Sequence, residues 1–421
     1  MAITRRHCAC RIVAEGHRMQ ALIVGAGIGG LTAALTLHAI GVDVMVVESA
    51  SEIRPVGVGI NVQPEAIREL SALGLADRLA DTAVATTELV FFDHHGERRH
   101  SEPRGLAAGY DWPQYSIRRG DLQLLLLETT RQRINGRAVR TDVSFRSARP
   151  SVSGVTVELE SRCGGAIENV DVDLLIGADG IHSSVCRWLH PQSAELRWSG
   201  TWMWRGIIET EPIVSTQTMI HVNDGTSTRL VAYPVSKAVA ERGRSLTNWV
   251  CQVCLAAPQP INADWTRTTL ARASDVVSYY EDWSTAVIDV PALLSRTTRI
   301  LSLPMVDREP LGQWRKGRVS LLGDAAHPMY PVGANGATQA IVDAAVLARC
   351  LASHNDVEEG LCAYESARGA ATAAIVMANR EMDRAERSSP DMQDIDYRGL
   401  MSRYRHDTNA EPRHINDVSS T

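Results

Sequence analysis

Lysine is nearly missing from this chain. It stands only at Lys237 and Lys316, and the other basic side chains are arginine, a preference read as coding bias before function. Acidic residues outnumber basic ones, 49 against 43, for a formal net charge of −6. With no basic cluster either, the balance argues against nucleic acid as a partner. No apolar run approaches the length of a membrane span, so no membrane span is expected. A disulfide framework is also lacking: Cys8, Cys10, Cys163, Cys186, Cys251, Cys254, Cys350 and Cys362 are scattered, as suits a reducing, cytoplasmic setting. Cys251-Gln252-Val253-Cys254 has redox spelling but lies in a strand-like run, where a spacing of three sends the two side chains to opposite faces. No His, Cys and acid cluster has metal spacing, so no metal is expected. The first 18 residues hold four arginines and no apolar core, unlike a secretory signal. They read as an N-terminal extension, either a mis-called start or a disordered arm.

What is present points to a nucleotide. At 421 residues and 44% hydrophobic, the chain can bury a large core, naturally divided in two. The apolar run Gln20–Val24 reads as a buried strand and Leu31–Ile40 as a helix. Between them Gly25, Gly27 and Gly30 fall at the spacing of a dinucleotide turn: one for the tight turn, one for close pyrophosphate approach, one for helix–strand packing. A second strand, Val42–Val47, ends in Glu48, 18 residues past Gly30. An acid there suits the two hydroxyls of an adenosine ribose. This motif alone leaves NAD and FAD equally open, so a plain NAD dehydrogenase stands as an alternative.

Three further segments narrow the choice. Asp173–Val185 is another apolar strand entering a glycine turn with an aspartate, Asp179. Ser116–Leu125 opens a helix with Arg119 and Gln123 one turn apart, suited to a phosphate and a ribityl chain. Val319–Leu322 ends in Gly323-Asp324, followed by a Pro- and Gly-rich loop and a helix beginning near Asn335. That helix start aims backbone N–H groups at an electron-rich ring edge. Taken together and in this order, from about Met19 to Arg380, these residues resemble the group A FAD-dependent aromatic monooxygenases, the p-hydroxybenzoate hydroxylase-like fold. The segments Glu52–Pro64, Met203–Gly206, Arg229–Pro234, Asn248–Cys251 and Pro304–Arg308 are most similar to the type that hydroxylates 5-methylphenazine-1-carboxylate.

The resemblance implies FAD as bound cofactor, NADH or NADPH as a transient reductant and O2 as co-substrate, acting through a flavin C4a-hydroperoxide that needs a dry site. Gly25, Gly27, Gly30 and Glu48 are then expected at the adenosine and pyrophosphate, and Asp324 at ribityl or ribose hydroxyls. Arg119 and Gln123 are expected along the phosphate–ribityl chain, and Asp179 at the pyrophosphate or the nicotinamide approach. Val143 would meet adenine through its backbone. Pro331 would fix the wall near the reactive carbon, while the N–H groups of Asn335 and Gly336 hold the negative ring edge. Tyr233 is expected beside the substrate, and Arg229 is expected to suit an anionic substrate such as a carboxylate. Trp204 and Arg205 read as structural, and His327 as a packing or loop hydrogen-bonding residue.

The fold class is α/β: a Rossmann-like FAD-binding domain with an interleaved antiparallel-sheet substrate domain and a helical C-terminal tail. Residues 1–18 form the extension; 19–86, 115–189 and 291–375 the FAD-binding domain; 87–114 and 190–290 the substrate domain; 376–421 the helical or disordered tail. Within it, Leu89–Phe92 and Glu97–His100 read as a hairpin, and Thr338–Ala352 as a long helix. The expected enzyme is a monomeric or homodimeric monooxygenase hydroxylating a fused-ring aromatic or heteroaromatic small molecule, with or without decarboxylation. Epoxidation or Baeyer–Villiger-type insertion on a polyketide or alkaloid, and a non-catalytic FAD-binding protein, remain as alternatives.

Overall fold

The computed structural model describes residues 18–388 apart from 56 and 193–194. The extension up to residue 17 and the tail beyond 388 lie outside the described residues, as do Cys8 and Cys10.

Apolar strands with no polar alternation are the strands that both faces of a sheet must bury. Gln20–Val24, Asp43–Val47, Leu174–Gly177 and Val319–Leu321 are such strands. They lie parallel, with Leu22 between Met45 and Leu175, and Ile176 beside Ser320. Val139–Arg140 and Arg315–Lys316 complete the six-stranded sheet at its edges. Leu22, Ile23, Leu174, Leu175, Ile176 and Leu321 are completely buried. The helix Ile28–Ala39 is apolar on nearly every side because it is enclosed, packed against the helices Arg119–Arg133 and Gly336–Ser353. A small antiparallel sheet of Val143–Pro150, Val155–Ser161 and Ile167–Val172 also packs against the parallel one.

The second region is a nine-stranded sheet whose central strands are Arg197–Thr210, Ser245–Cys254, Thr228–Pro234 and Thr218–Asn223. It is antiparallel except where Glu88–Asp93 runs parallel to Thr218–Asn223, because those strands come from separate excursions of the chain. Glu88–Asp93 and Arg98–Pro103 form the hairpin, with a bulge between Phe91 and Phe92. Alternation divides the faces. Trp204, Leu230, Trp249 and Cys251 pack outward on Tyr280, Trp283 and Leu294. Met203, Met219, Leu89, Phe91 and Tyr233 face the nucleotide-binding half with Tyr330, Val332 and Met382. Cys251 and Cys254 accordingly sit apart, Cys251 in the outer core and Cys254 under the Arg387 guanidinium.

One boundary needs correction. The helix Val357–Ser388 runs unbroken through residue 376, so no tail begins there. Its final turns bear on the nine-stranded sheet: Met382 joins the inner core, and Asp383 and Glu386 pair with Arg229. Among the described residues no helix is long and apolar enough to cross a membrane, and no group of three or more His, Cys, Asp or Glu could hold a metal.

Candidate active site

The first strand ends in a turn that only glycine can make. Gly25 has φ +104°, and a Cβ on it would lie 2.4 Å from the Ala178 carbonyl oxygen. A Cβ on Gly30 would come within 1.9 Å of the Gly25 carbonyl oxygen, so the helix packs directly on the turn. Gly27 differs: a Cβ there meets nothing within 4 Å, because its bare side forms the wall of a cavity. Glu48, at the end of the second strand, holds this turn by accepting the Ala26 N–H at 2.9 Å. Gln123 donates to the Ala26 carbonyl at 2.8 Å from behind. It therefore braces the loop and does not line the cavity, which corrects its expected place along the ribityl chain. Arg119, one turn earlier, does line the cavity. Burial pushes its guanidinium pKa down, with Asp324 pulling it back up.

Of two other expected contacts, one is spent locally and the other is engaged at its N–H alone. The Asp179 carboxylate accepts the Ser184 N–H at 2.6 Å and the Ser183 hydroxyl at 2.5 Å, closing the turn before the helix Ser184–Leu189. Its neighbours Ala178 and Gly180 form the cavity wall in its place. The Val143 N–H is bonded to the Glu48 carbonyl at 3.0 Å, so that donor is not available to adenine.

On the far side of the parallel sheet, Gly323 takes φ +62° and turns Asp324 into the cavity. This turn hangs from a buried carboxylate. Asp343 accepts the Gly323 N–H at 3.0 Å, His327 Nε2 at 2.6 Å and Arg368 Nε at 2.7 Å. Burial alone would raise the Asp343 pKa, but His327 and Arg368 hold it down to about 2. His327 is thus the loop-bonding residue its surroundings suggested, ring-packed on Trp314. Asp324 experiences the opposite balance: desolvation pushes its carboxyl up, against the pull of His327, Arg119 and Arg308. The following loop makes two successive left-handed residues, Gly333 at φ +74° and Ala334 at φ +58°, before the helix starts at Gly336. Pro331, Val332, Gly333, Ala334 and Gly336 line the cavity. Asn335 is buried with its Nδ2 unpartnered.

The nine-stranded sheet closes the cavity, whose volume is about 410 Å³. Tyr233 and Arg205 both donate to the Gly59 carbonyl, at 2.9 and 2.8 Å, and both line the cavity. Arg205 thus makes the structural bond expected of it and also faces the cavity, whereas its neighbour Trp204 faces the opposite way and stacks on Tyr279. Arg229 needs correction as well. It is 2% exposed, with its guanidinium held by Asp383 at 2.8 Å and by Glu386. Two carboxylates already neutralise it, so it anchors the last helix and does not receive an anionic substrate. Sequence reasoning missed His221 and Gln252, which line the cavity beside it. The signal was the period of two: with Tyr233 inward, Val231 and its cross-strand partners His221 and Val250 face inward too.

A flavin dinucleotide fits these groups. Gly27 offers a bare backbone, Arg119 a charge for phosphate, Asp324 an acceptor for sugar hydroxyls, and the start of the helix Gly336–Ser353 an N–H-rich, positive end. The comparisons agree. The family described as the FAD binding domain matches residues 18–379. The phenazine 1,6-dicarboxylic acid hydroxylase PhzS of Lysobacter antibioticus is 50% identical over 369 residues, covering 87% of this chain and 90% of that protein. The 3-hydroxybenzoate 6-hydroxylase of Polaromonas naphthalenivorans is 33% identical over 372 residues, covering 86% and 87%. Among solved structures, Klebsiella pneumoniae HpxO complexed with FAD and uric acid matches with a TM-score of 0.75 at 25% identity, covering 94% of this chain and 95% of that one. The chain belongs to the FAD binding domain family and is an FAD-dependent monooxygenase.

Proposed function

We propose that this monooxygenase hydroxylates a flat, fused-ring heteroaromatic acid of the phenazine class, with or without loss of a carboxylate. The observation that carries the reading is the 50% identity to a phenazine dicarboxylic acid hydroxylase across 87% of the chain, a span that includes the sheet enclosing the cavity. The cavity agrees in chemistry: Leu89, Phe91, Met219, Val231, Val250 and Met382 make apolar walls against the Pro331–Ala334 loop. FAD, reduced by NADH or NADPH, supplies the chemistry that transfers one atom of O2 to the ring while the other leaves as water.

The protein's part is to bind, orient and keep water out. Asp324 accepts hydroxyls of the cofactor chain, Arg119 faces its phosphates, and Gly27 permits close approach of the pyrophosphate. The Asn335 and Gly336 N–H groups hold the electron-rich ring edge, and Pro331 walls it. Burial raises the Tyr233 pKa, so the phenol stays protonated and keeps its bond to Gly59. Together with Arg205 it fixes the substrate against the reacting edge. We assign 19–86, 115–189 and 291–375 to cofactor binding and 87–114 with 190–290 to substrate binding, the end of the last helix serving the latter. The unpaired cysteines among the described residues support work in the cytoplasm, and we propose a monomer or homodimer.

The test is NADH and NADPH oxidation by the flavin-loaded protein with phenazine-1-carboxylate, phenazine-1,6-dicarboxylate, 5-methylphenazine-1-carboxylate, salicylate, 3-hydroxybenzoate and quinolones. Phenazine acids should accelerate oxidation most. Acceleration by simple phenols alone, or by nothing in the panel, would sink the substrate class.

A further inference from the structure

We propose that the sheet end of the cavity, beneath the last turns of the helix Val357–Ser388, is a second anchoring site where His221 and Gln252 bind a second carboxylate of the substrate, remote from the ring that is hydroxylated. This rests on the phenazine reading above and deepens it.

Two strand residues carry the argument. His221 and Gln252 are 6% and 7% exposed, and both line the cavity. Among the described residues neither side chain has a hydrogen-bond partner; His221 meets the edge of Phe91 at 5.4 Å and lies in the field of Glu386 and Arg229. A buried polar group without a partner is costly and rare, and here two share one wall. Their polar neighbours are all engaged. Arg229 is paired with Asp383 and Glu386, Arg387 with Asp383, and the Asn223 amide with the Glu386 carbonyl. Glu386 also lines the cavity, its charge met from behind by Arg229, and the groups on this wall left without a partner are an imidazole and an amide.

Placement fits a substrate with two polar ends. Gln252 pairs across the strands with Arg229, and Tyr233 pairs with Asn248. Along the strand direction Gln252 is therefore four residues from Tyr233, roughly 13 Å, with His221, opposite Val231, at the side of that span. That span is comparable to the long axis of a three-ring aromatic carrying substituents on both outer rings. The floor between Gln252 and Tyr233 is Val231 and Val250, which a flat ring system can cover.

The test compares dissociation constants of the flavin-loaded enzyme for phenazine-1,6-dicarboxylate and phenazine-1-carboxylate, by equilibrium dialysis and by flavin absorbance change. The wild-type protein should bind the diacid about tenfold or more tightly, as expected of a hydrogen-bonded charge in a buried site. His221→Leu and Gln252→Leu, compared at equal flavin content, should bring the ratio toward one. His221→Asn, which retains a donor, should keep part of it. Equal affinities in the wild type, or variants that weaken both acids alike and preserve the ratio, would overturn the second anchor alone. If neither acid binds or stimulates NAD(P)H oxidation, the phenazine reading falls and the anchor with it.

Discussion

At the scale of single residues, the cavity rests on side chains and bare backbone turned into it. The Asp324 carboxylate, exposed to the cavity, is one. Asp324→Ala should remove a charged hydrogen bond worth about 1.5–3 kcal/mol to bound FAD. The variant should therefore purify largely colourless while its apo form melts no lower than wild-type apo protein; a fully yellow variant would take Asp324 out of the site. Tyr233 makes a different prediction. Tyr233→Phe removes one of two donors to the Gly59 carbonyl and leaves the other, Arg205. Flavin content should hold while the fraction of NAD(P)H oxidation yielding product falls, measured as product formed per nicotinamide consumed. Unchanged coupling would make Tyr233 a packing residue. The glycines separate in the same way. Gly30→Ala places a methyl 1.9 Å from a carbonyl oxygen and should prevent folding, whereas Gly27→Ala meets nothing within 4 Å. The Gly27 variant should fold with unchanged apo stability and lose affinity for FAD, which thermal melts with and without added FAD would separate.

At the scale of elements, the two devices that shape the cavity are a turn suspended from Asp343 and a helix pinned by Arg229. Asp343→Asn should leave His327 and Arg368 buried with an incomplete partner and cost about 3–5 kcal/mol. The Asp343 pKa, depressed to about 2, also sets a sign for pH. Its contribution is fully present above the unfolded-state carboxylate range and is lost as pH falls toward 2. The wild-type protein should therefore lose more stability on acidification over that window than Asp343→Asn does, in parallel denaturant titrations. For the helix, Asp383→Asn leaves Arg229 and Arg387 short of one carboxylate. Stability and substrate affinity should both fall, more than for a change at the exposed Arg384. Equal tolerance at both positions would return the end of the helix to the status of a tail.

At the scale of the whole molecule, the nucleotide half was legible because its signals are local. Gly25, Gly27 and Gly30 stand between one strand and one helix, and Gly323-Asp324 follows directly on a strand. Each is a short string whose geometry its own residues dictate. The substrate half was much less so. Arg205, His221 and Gln252 come from three strands and meet only through cross-strand register, and Arg229 is paired with acids 154 and 157 residues away, which no local pattern announces. Arg119 lines the cavity while Gln123, a turn further along the same helix, braces the loop from behind, since four residues on a helix do not determine depth in a crevice. The central claim is that this cavity delivers one oxygen atom from O2 to a fused-ring aromatic acid. Its most direct test is turnover of a phenazine acid under ¹⁸O2, with the product read by mass spectrometry. The account predicts a hydroxylated phenazine carrying one ¹⁸O atom, formed only with both FAD and NAD(P)H. Label recovered solely in peroxide and water, with the phenazine unchanged, would contradict it.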